Sequence, residues 1–449
     1  MKKILLFVLG LSALSSFAAI PTTAGWYQIP NTAINNVCAC THGFSQVCGA
    51  TGCGGIFAWG SGVFDTKRNR HIFWGGGHND YYGNEIYSLN LDALTMTRIT
   101  DPTIPVASGC TYNLTGNTPN SRHTYDHIAY AANVDKLFSF AGSISCPTSG
   151  VFQDTWLFNF ATMKWEYPAP SGTKPRAGEG MVSAYDPNTG KVFFQDLTYL
   201  FAYNPVTNAW ERFDGSASNG VDYHLCATVD PKRKKFVMIG SGQCYVYDIS
   251  ATSTYAFQTL STTGGSGIVG SSMPGVAYDP VRDRIVGWNG GNTVYSLNMD
   301  TKQWASDTYT GGPGSANTVG IYGRWDYSPA LDCFVLVNTT AQNAYAFRFP
   351  GSGASVNKRP AIAPSLTLDV SPNPVSGAAL IRINGSAEQL VSLAVYDTRG
   401  RMVENLANQA KDAAGKEIAW NTRALSCGVY VLEARTATYS FSKRILLSK

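Results

Sequence analysis

One arrangement of apolar and polar positions returns along the middle of the chain. A short apolar strand runs into an Asp-containing turn, a second apolar strand follows, and a later strand ends on an aromatic residue. The turns read Phe64-Asp65-Thr66-Lys67-Arg68-Asn69-Arg70, Tyr130-Ala131-Ala132-Asn133-Val134-Asp135-Lys136 and Tyr185-Asp186-Pro187-Asn188-Thr189-Gly190-Lys191. They return as Val229-Asp230-Pro231, Tyr278-Asp279-Pro280 and Tyr327-Ser328-Pro329. Asp and Pro set the turn between two β-rich runs. Copies at about 50-residue spacing predict an all-β fold: a six-bladed β-propeller, because one such unit cannot bury both its faces alone. Seven blades result if residues 31–57 or 100–120 hide strands.

The outer strands carry Trp165, Trp210 and Trp304, yet the last copy stops at Phe347-Arg348-Phe349 without one. Its missing strand is expected at Gly25-Trp26-Tyr27-Gln28, so the N-terminal segment closes the ring and removes two open sheet edges. With Gly75-Gly76-Gly77 and Gly290-Gly291 after second strands, then Tyr203…Trp210 and Tyr295…Trp304, residues 25–350 resemble kelch-type propellers. That resemblance speaks to fold; such propellers serve as enzymes, binding modules and scaffolds.

The two ends differ from this pattern. Met1-Lys2-Lys3, an apolar run from Ile4 to Leu14 and Ser16-Phe17-Ala18 make a secretory signal over 1–18. The run is shorter than the ~20 residues a membrane span needs, and no span is expected after cleavage. The propeller is expected over 19–354 and a Pro-containing linker over 355–365. A small β-sandwich is expected over 366–449, from alternating strands around Ser371-Pro372-Asn373-Pro374, Val395-Tyr396-Asp397…Gly400 and the terminal Lys443-Arg444-Ile445-Leu446-Leu447. Those three motifs resemble the C-terminal sorting domain of type IX secretion cargo. The resemblance implies passage through the periplasm, engagement of the type IX machinery, and release or attachment at the outer surface.

Composition narrows the class. Only 14% of the residues are charged, while aromatics reach 12% and glycines number 45, which disfavours disorder and coiled coil. A net charge of +4 with scattered Lys and Arg gives no track for nucleic acid, and a monomer is expected. In an exported chain ten cysteines read as disulfides, with Cys110–Cys146 and Cys226–Cys244 the expected pairs. The cluster Cys38, Cys40, Cys48 and Cys53 has a zinc alternative, against which its spacing argues.

In a propeller, the loops between second and third strands and the runs leading into each first strand open on one face. Five of the six histidines fall there: His42, His78, His123, His127 and His224. A His/Tyr/Arg set suits β-elimination on a uronate-containing polysaccharide. Arg neutralises the sugar carboxylate, one group takes the adjacent proton and another protonates the leaving oxygen. His123, Tyr223 and His224 are the expected proton-transfer residues, and Arg176 and Arg324 the expected carboxylate ligands. His78, Asn79, Asp80, Tyr81, Tyr82, Arg122, Tyr322 and Trp325 are expected to hold the sugar, with Trp74 a further stacking platform. In residue types the set is similar to propeller polysaccharide lyases, such as the ulvan and oligogalacturonide lyases. Three other readings stand beside it. A glycoside hydrolase would use two carboxylates about 5–10 Å apart, from Asp80, Asp126, Glu179, Asp222 and Asp326. A non-catalytic surface lectin would hold glycans through aromatics alone. A divalent metal would need His78, His123 and His224 to converge.

Overall fold

The structure, a computed structural model, describes residues 19–104, 113–114, 117–144, 150–213, 220–250, 256–352, 367–384, 390–397, 402–406, 417–436 and 440–448. The signal segment, the linker and the Cys110–Cys146 pairing lie outside these residues. The chain divides into two compact units, Met1–Ser355 and Val356–Lys449. Among the described residues no helix is long and apolar enough to cross a membrane.

The repeated pattern of the first unit folds as six four-stranded antiparallel arrays. Their first strands are Ser61–Asp65, Ile128–Ala131, Val182–Asp186, Cys226–Asp230, Gly275–Asp279 and Trp325–Ser328. Each first strand contacts the next along this series, and the last contacts the first. The fourth strand of the sixth array is Gly25–Gln28, paired antiparallel with Tyr345–Arg348, as the missing outer strand required. The third array carries one more short strand, Ser171–Gly172, parallel to its outer edge.

The recurring Asp has a local cause. Asp65, Asp186, Asp230 and Asp279 each turn a carboxylate oxygen onto backbone N–H groups two or three residues on, closing the turn. The same turns staple neighbouring arrays together. Arg68 reaches Asp135 at 2.6 Å, Asn133 reaches the Gly190 carbonyl at 3.1 Å, and Asn188 reaches the Pro231 carbonyl at 2.7 Å. Arg233 then reaches Asp283 at 2.7 Å, Arg282 reaches Asp332 at 2.7 Å, and Ser328 reaches Asn69 at 2.7 Å. Between arrays the inner strands are buried on both faces, which is why Val192-Phe193-Phe194 reads as a continuous apolar run. The outer strand Ala209–Phe213 is instead buried only at Trp210 and Phe213: Trp210 packs inward against Phe138, Phe140 and Phe194, while Glu211 and Arg212 are exposed.

Residues 31–57 form no strand. They are 3₁₀ turns tied by Cys38–Cys53 and Cys40–Cys48, so the disulfide reading of this cluster holds over zinc. Among the described residues of 100–120, the strands are a two-stranded ribbon, Asn113–Leu114 with Thr118–Pro119. Cys226 and Cys244 are both free and buried, which corrects the expected bridge. Each is paired with Ile239, from opposite sides of that strand. Two strand spacings of about 4.8 Å place their Cα atoms beyond disulfide reach.

In the second unit seven strands join through Thr367–Ser376, which pairs with Ala378–Asn384 along its first part and at Val375 with Leu447. Both halves bury side chains in one core of Val370, Ile381, Val395, Trp420, Leu432 and Ile445. The Ser-Pro-Asn-Pro motif has a structural role here. The Asn373 side chain donates to the Arg444 carbonyl at 3.1 Å and accepts from the Leu446 N–H at 3.0 Å, tying the first strand to the last.

Candidate functional site

Two cavities adjoin the first strands. One, of about 380 Å³, is lined by residues from the first strand of all six arrays and is mostly apolar, with Asp126 and Asp326 among its walls. The other, of about 320 Å³, is lined by Trp59, His78, Asp80, His123, Tyr125, Glu179, Gly180, Tyr223 and His224. Six residues expected from the sequence therefore meet there: His78, Asp80, His123, Tyr223 and His224, with Glu179 from the hydrolase candidates.

His123 is held on three sides. Its Nε2 lies 3.0 Å from Asp80 Oδ2. Its ring stacks on His78 at 4.9 Å and 24°, and on its other side meets Trp59 at 5.0 Å and 36°. Burial pushes its imidazole below the usual histidine range, against the pull of the Asp80 hydrogen bond, so the ring stands neutral near pH 7. A second chain of hydrogen bonds adjoins the same cavity. The Tyr125 hydroxyl lies 3.3 Å from Ser143 Oγ, and Ser143 donates to Glu179. Ser143 pairs with His123 across two short strands, which brings the chains together.

The backbone aims these groups. Trp59, His78, Tyr125 and His224 have φ of 45°, 48°, 43° and 69°, in the left-handed region that bulky residues avoid. Each such residue costs of order 1–3 kcal/mol and persists only where its surroundings over-determine it. Here a 2.6 Å hydrogen bond from Tyr125 N to the Trp59 carbonyl fixes two of them together. Gly77, at φ 81°, packs so closely on Arg122 and Ser143 main chain that no Cβ fits, which sets the direction of the following His78-Asn79-Asp80 turn.

The remaining expected residues do other work. Arg324 is fully buried, its guanidinium over the Phe57 ring at 4.2 Å and donating to the carbonyls of Gly60, Val337, Asn338 and Gly320. Arg122 is likewise buried and paired with Asp154 at 2.8 Å. Arg176 is exposed but turns to the Asp196 carbonyl at 2.8 Å and does not line the cavity. Trp325 stacks on Phe334 at 4.8 Å, and Tyr322 and Trp74 are buried in the core. Tyr81 is buried against Glu85, while Asn79 is exposed and Tyr82 half-buried beside it, outside the cavity lining. Asp126 and Asp326 belong to the other cavity, and Asp222 is exposed. His42 is exposed, and His127 accepts from Met181 N at 3.0 Å as a structural residue. The three histidines of the metal reading share the cavity. Among the described residues, however, no three His, Cys, Asp or Glu side chains converge as metal ligands would. Trp59 and Tyr125 join the site beyond the residues expected from the sequence; both lie just before or within runs leading into first strands, which is the signal that marks them.

Residues 369–448 match the family of secretion system C-terminal sorting domains. The chain is thus a type IX secretion substrate, secreted or attached at the outer surface. No curated protein matches it. Among solved structures, PorZ, an essential bacterial surface component of the type IX secretion system of Porphyromonas gingivalis, is similar at TM-score 0.37 and 13% identity. The likeness covers 89% of this chain and 60% of that one. An auxiliary nutrient binding protein from Bacteroides thetaiotaomicron is similar at TM-score 0.40 and 10% identity, over 66% of this chain and 68% of that one. Neither is described as a kelch protein or a lyase, and likeness at this level carries no functional argument.

Proposed function

We propose that the first unit is a six-bladed β-propeller that binds an extracellular glycan in the Trp59–Tyr223 cavity and cleaves it by proton transfer. Six four-stranded arrays, polar staples at all six junctions and a cavity shared by six first strands support the propeller. The observation that carries the chemistry is the Asp80–His123 pair, an imidazole kept neutral by burial at the wall of an open, aromatic-lined cavity. With Nε2 engaged by Asp80, Nδ1 is the nitrogen left to take a proton, as a general base requires. Tyr223 and His224, which line the same cavity, are the proton donors for the leaving oxygen.

Hydrolysis fits better than β-elimination. Elimination needs a cation beside the sugar carboxylate, and Arg122, Arg176 and Arg324 are all turned elsewhere. In hydrolysis His123 takes a proton from water as its oxygen joins the anomeric carbon. The glycosidic C–O bond breaks and the departing oxygen gains a proton from Tyr223 or His224. The test is the mature protein against a panel of neutral, amino and uronic polysaccharides, following reducing ends and the ultraviolet absorbance of unsaturated uronate. Reducing ends without absorbance are expected. Both signals together would restore elimination, and retention on glycan without products would make the protein a lectin.

A further inference from the structure

We infer that the cavity is selective for a glycan bearing free amino groups, whose ammonium sits between the Asp80 and Glu179 carboxylates. This rests on the glycan reading above and names its substrate class. The lining contains two carboxyl side chains, three imidazoles and three aromatic rings, and neither lysine nor arginine. His123 adds no positive charge near pH 7, since burial holds it neutral. Asp80 engages His123 through Oδ2, and Glu179 receives Ser143 through Oε1 with Tyr125 a further hydrogen-bonding neighbour; a carboxylate offers about four lone-pair sites, so each retains acceptor capacity for a ligand. A carboxylated sugar would meet two like charges here. An ammonium meets two opposite ones, and it gains further from the faces of Trp59, Tyr125 and Tyr223. The positions of the arginines complete the argument: Arg122 and Arg324 are fully buried on partners of their own and Arg176 turns to Asp196, so none supplies a uronate ligand.

The experiment is calorimetric titration of the full mature chain with a glucosamine hexamer, its fully N-acetylated counterpart, an oligogalacturonate and poly-lysine. The glucosamine hexamer is expected to bind best. Glu179→Gln should weaken it about tenfold, the worth of one charge-assisted hydrogen bond, and leave the acetylated hexamer unchanged. Circular dichroism verifies the fold of the variant, and a loss of hexamer affinity with added salt reads the same charge term without mutation. Equal binding of both hexamers, or preference for oligogalacturonate, overturns the amine selectivity while leaving the glycan reading standing. Poly-lysine binding as tightly as the hexamer reduces the site to charge alone and overturns the sugar. No binding to any of the sugars overturns the glycan reading itself.

Discussion

A methyl group placed on Gly55 would stand 2.3 Å from the carbonyl oxygen of Asp80, a separation no real contact tolerates. The disulfide-tied segment thus lies directly on the turn that carries the His123 partner. Gly49 presses on the same residue, the Thr51 hydroxyl donates to the Asp80 carbonyl at 3.2 Å, and Ala50 N–H donates to the Asn79 carbonyl at 2.7 Å. Gly55→Ala is expected to displace Asp80 and lower turnover on the glycan about tenfold to a hundredfold. Overpacking should also remove about 1–3 kcal/mol of stability. Gly54→Ala is the control, since nothing lies within 4 Å of its Cβ position. Steady-state kinetics and urea unfolding on both variants decide it, and equal behaviour of the two would sink the positioning role.

What the sequence disclosed and what it hid follow from how local each cause is. The Asp turns were legible because an Asp carboxylate caps backbone groups only two or three residues away, so the fold's period is written in the chain. The outer strand at Trp26 was legible because a sheet lacking an edge strand leaves an unmet demand. The convergence of His78, Asp80, His123, Tyr223 and His224 followed from topology, which fixes the end of the array each run reaches. Topology does not fix which way a side chain turns at that end. Arg324 sits in the expected run, but in the 3₁₀ turn Tyr322–Arg324 its guanidinium folds inward and collects carbonyls from three segments. Cys226 and Cys244 failed for a similar reason: neighbouring in the pattern, they are separated by a strand between them.

Stability should fall as pH rises through neutrality, and the residues responsible are Asp126 and Asp326. Burial raises Asp126 to about 8, with the Asp326 charge adding to it, and raises Asp326 to about 7. A carboxyl whose folded pKa exceeds its unfolded value contributes stability at low pH, and loses it as pH climbs through the folded value. The buried histidines run the other way. Burial lowers His71 to about 4 and His127 to about 3, so their contribution is present above 6.5 and is lost as pH falls. Below 6.5 the two pairs therefore oppose each other, and between 6.5 and 8 the aspartates act without that opposition, buried Glu85, also raised by burial, acting in their sense. Each proton changes stability by about 1.4 kcal/mol per pH unit at most. Urea midpoints of the wild type should drop across that upper window, and those of Asp126→Asn should drop less. A wild-type midpoint that holds level or rises there would show that these two buried carboxyls ionise without cost.

The Asp80–His123 contact makes a prediction in kinetics as well as in binding. Asp80 accepts from His123 Nε2 at 3.0 Å, and this hydrogen bond favours the protonated ring against the burial that disfavours it. Asn in its place keeps the size of the side chain but loses the charge that steadies the imidazolium formed during turnover. Asp80→Asn should lower kcat by about a hundredfold to ten-thousandfold, the range that a positioned acid–base group supplies. Because the imidazole then loses its hydrogen-bonded anionic support and keeps only the weaker pull of Glu179, its pKa falls further, and the acid limb of the pH–rate profile should move to lower pH. A residue that only held the turn in place would lower the rate without moving that limb. His78→Ala separates the two effects: it removes the stacked ring and the neighbouring imidazole, which disfavours a second positive charge, while leaving the Asp80 contact intact. Its acid limb should shift in the opposite direction, toward higher pH, and a profile that stays fixed in both variants would remove His123 from the chemistry.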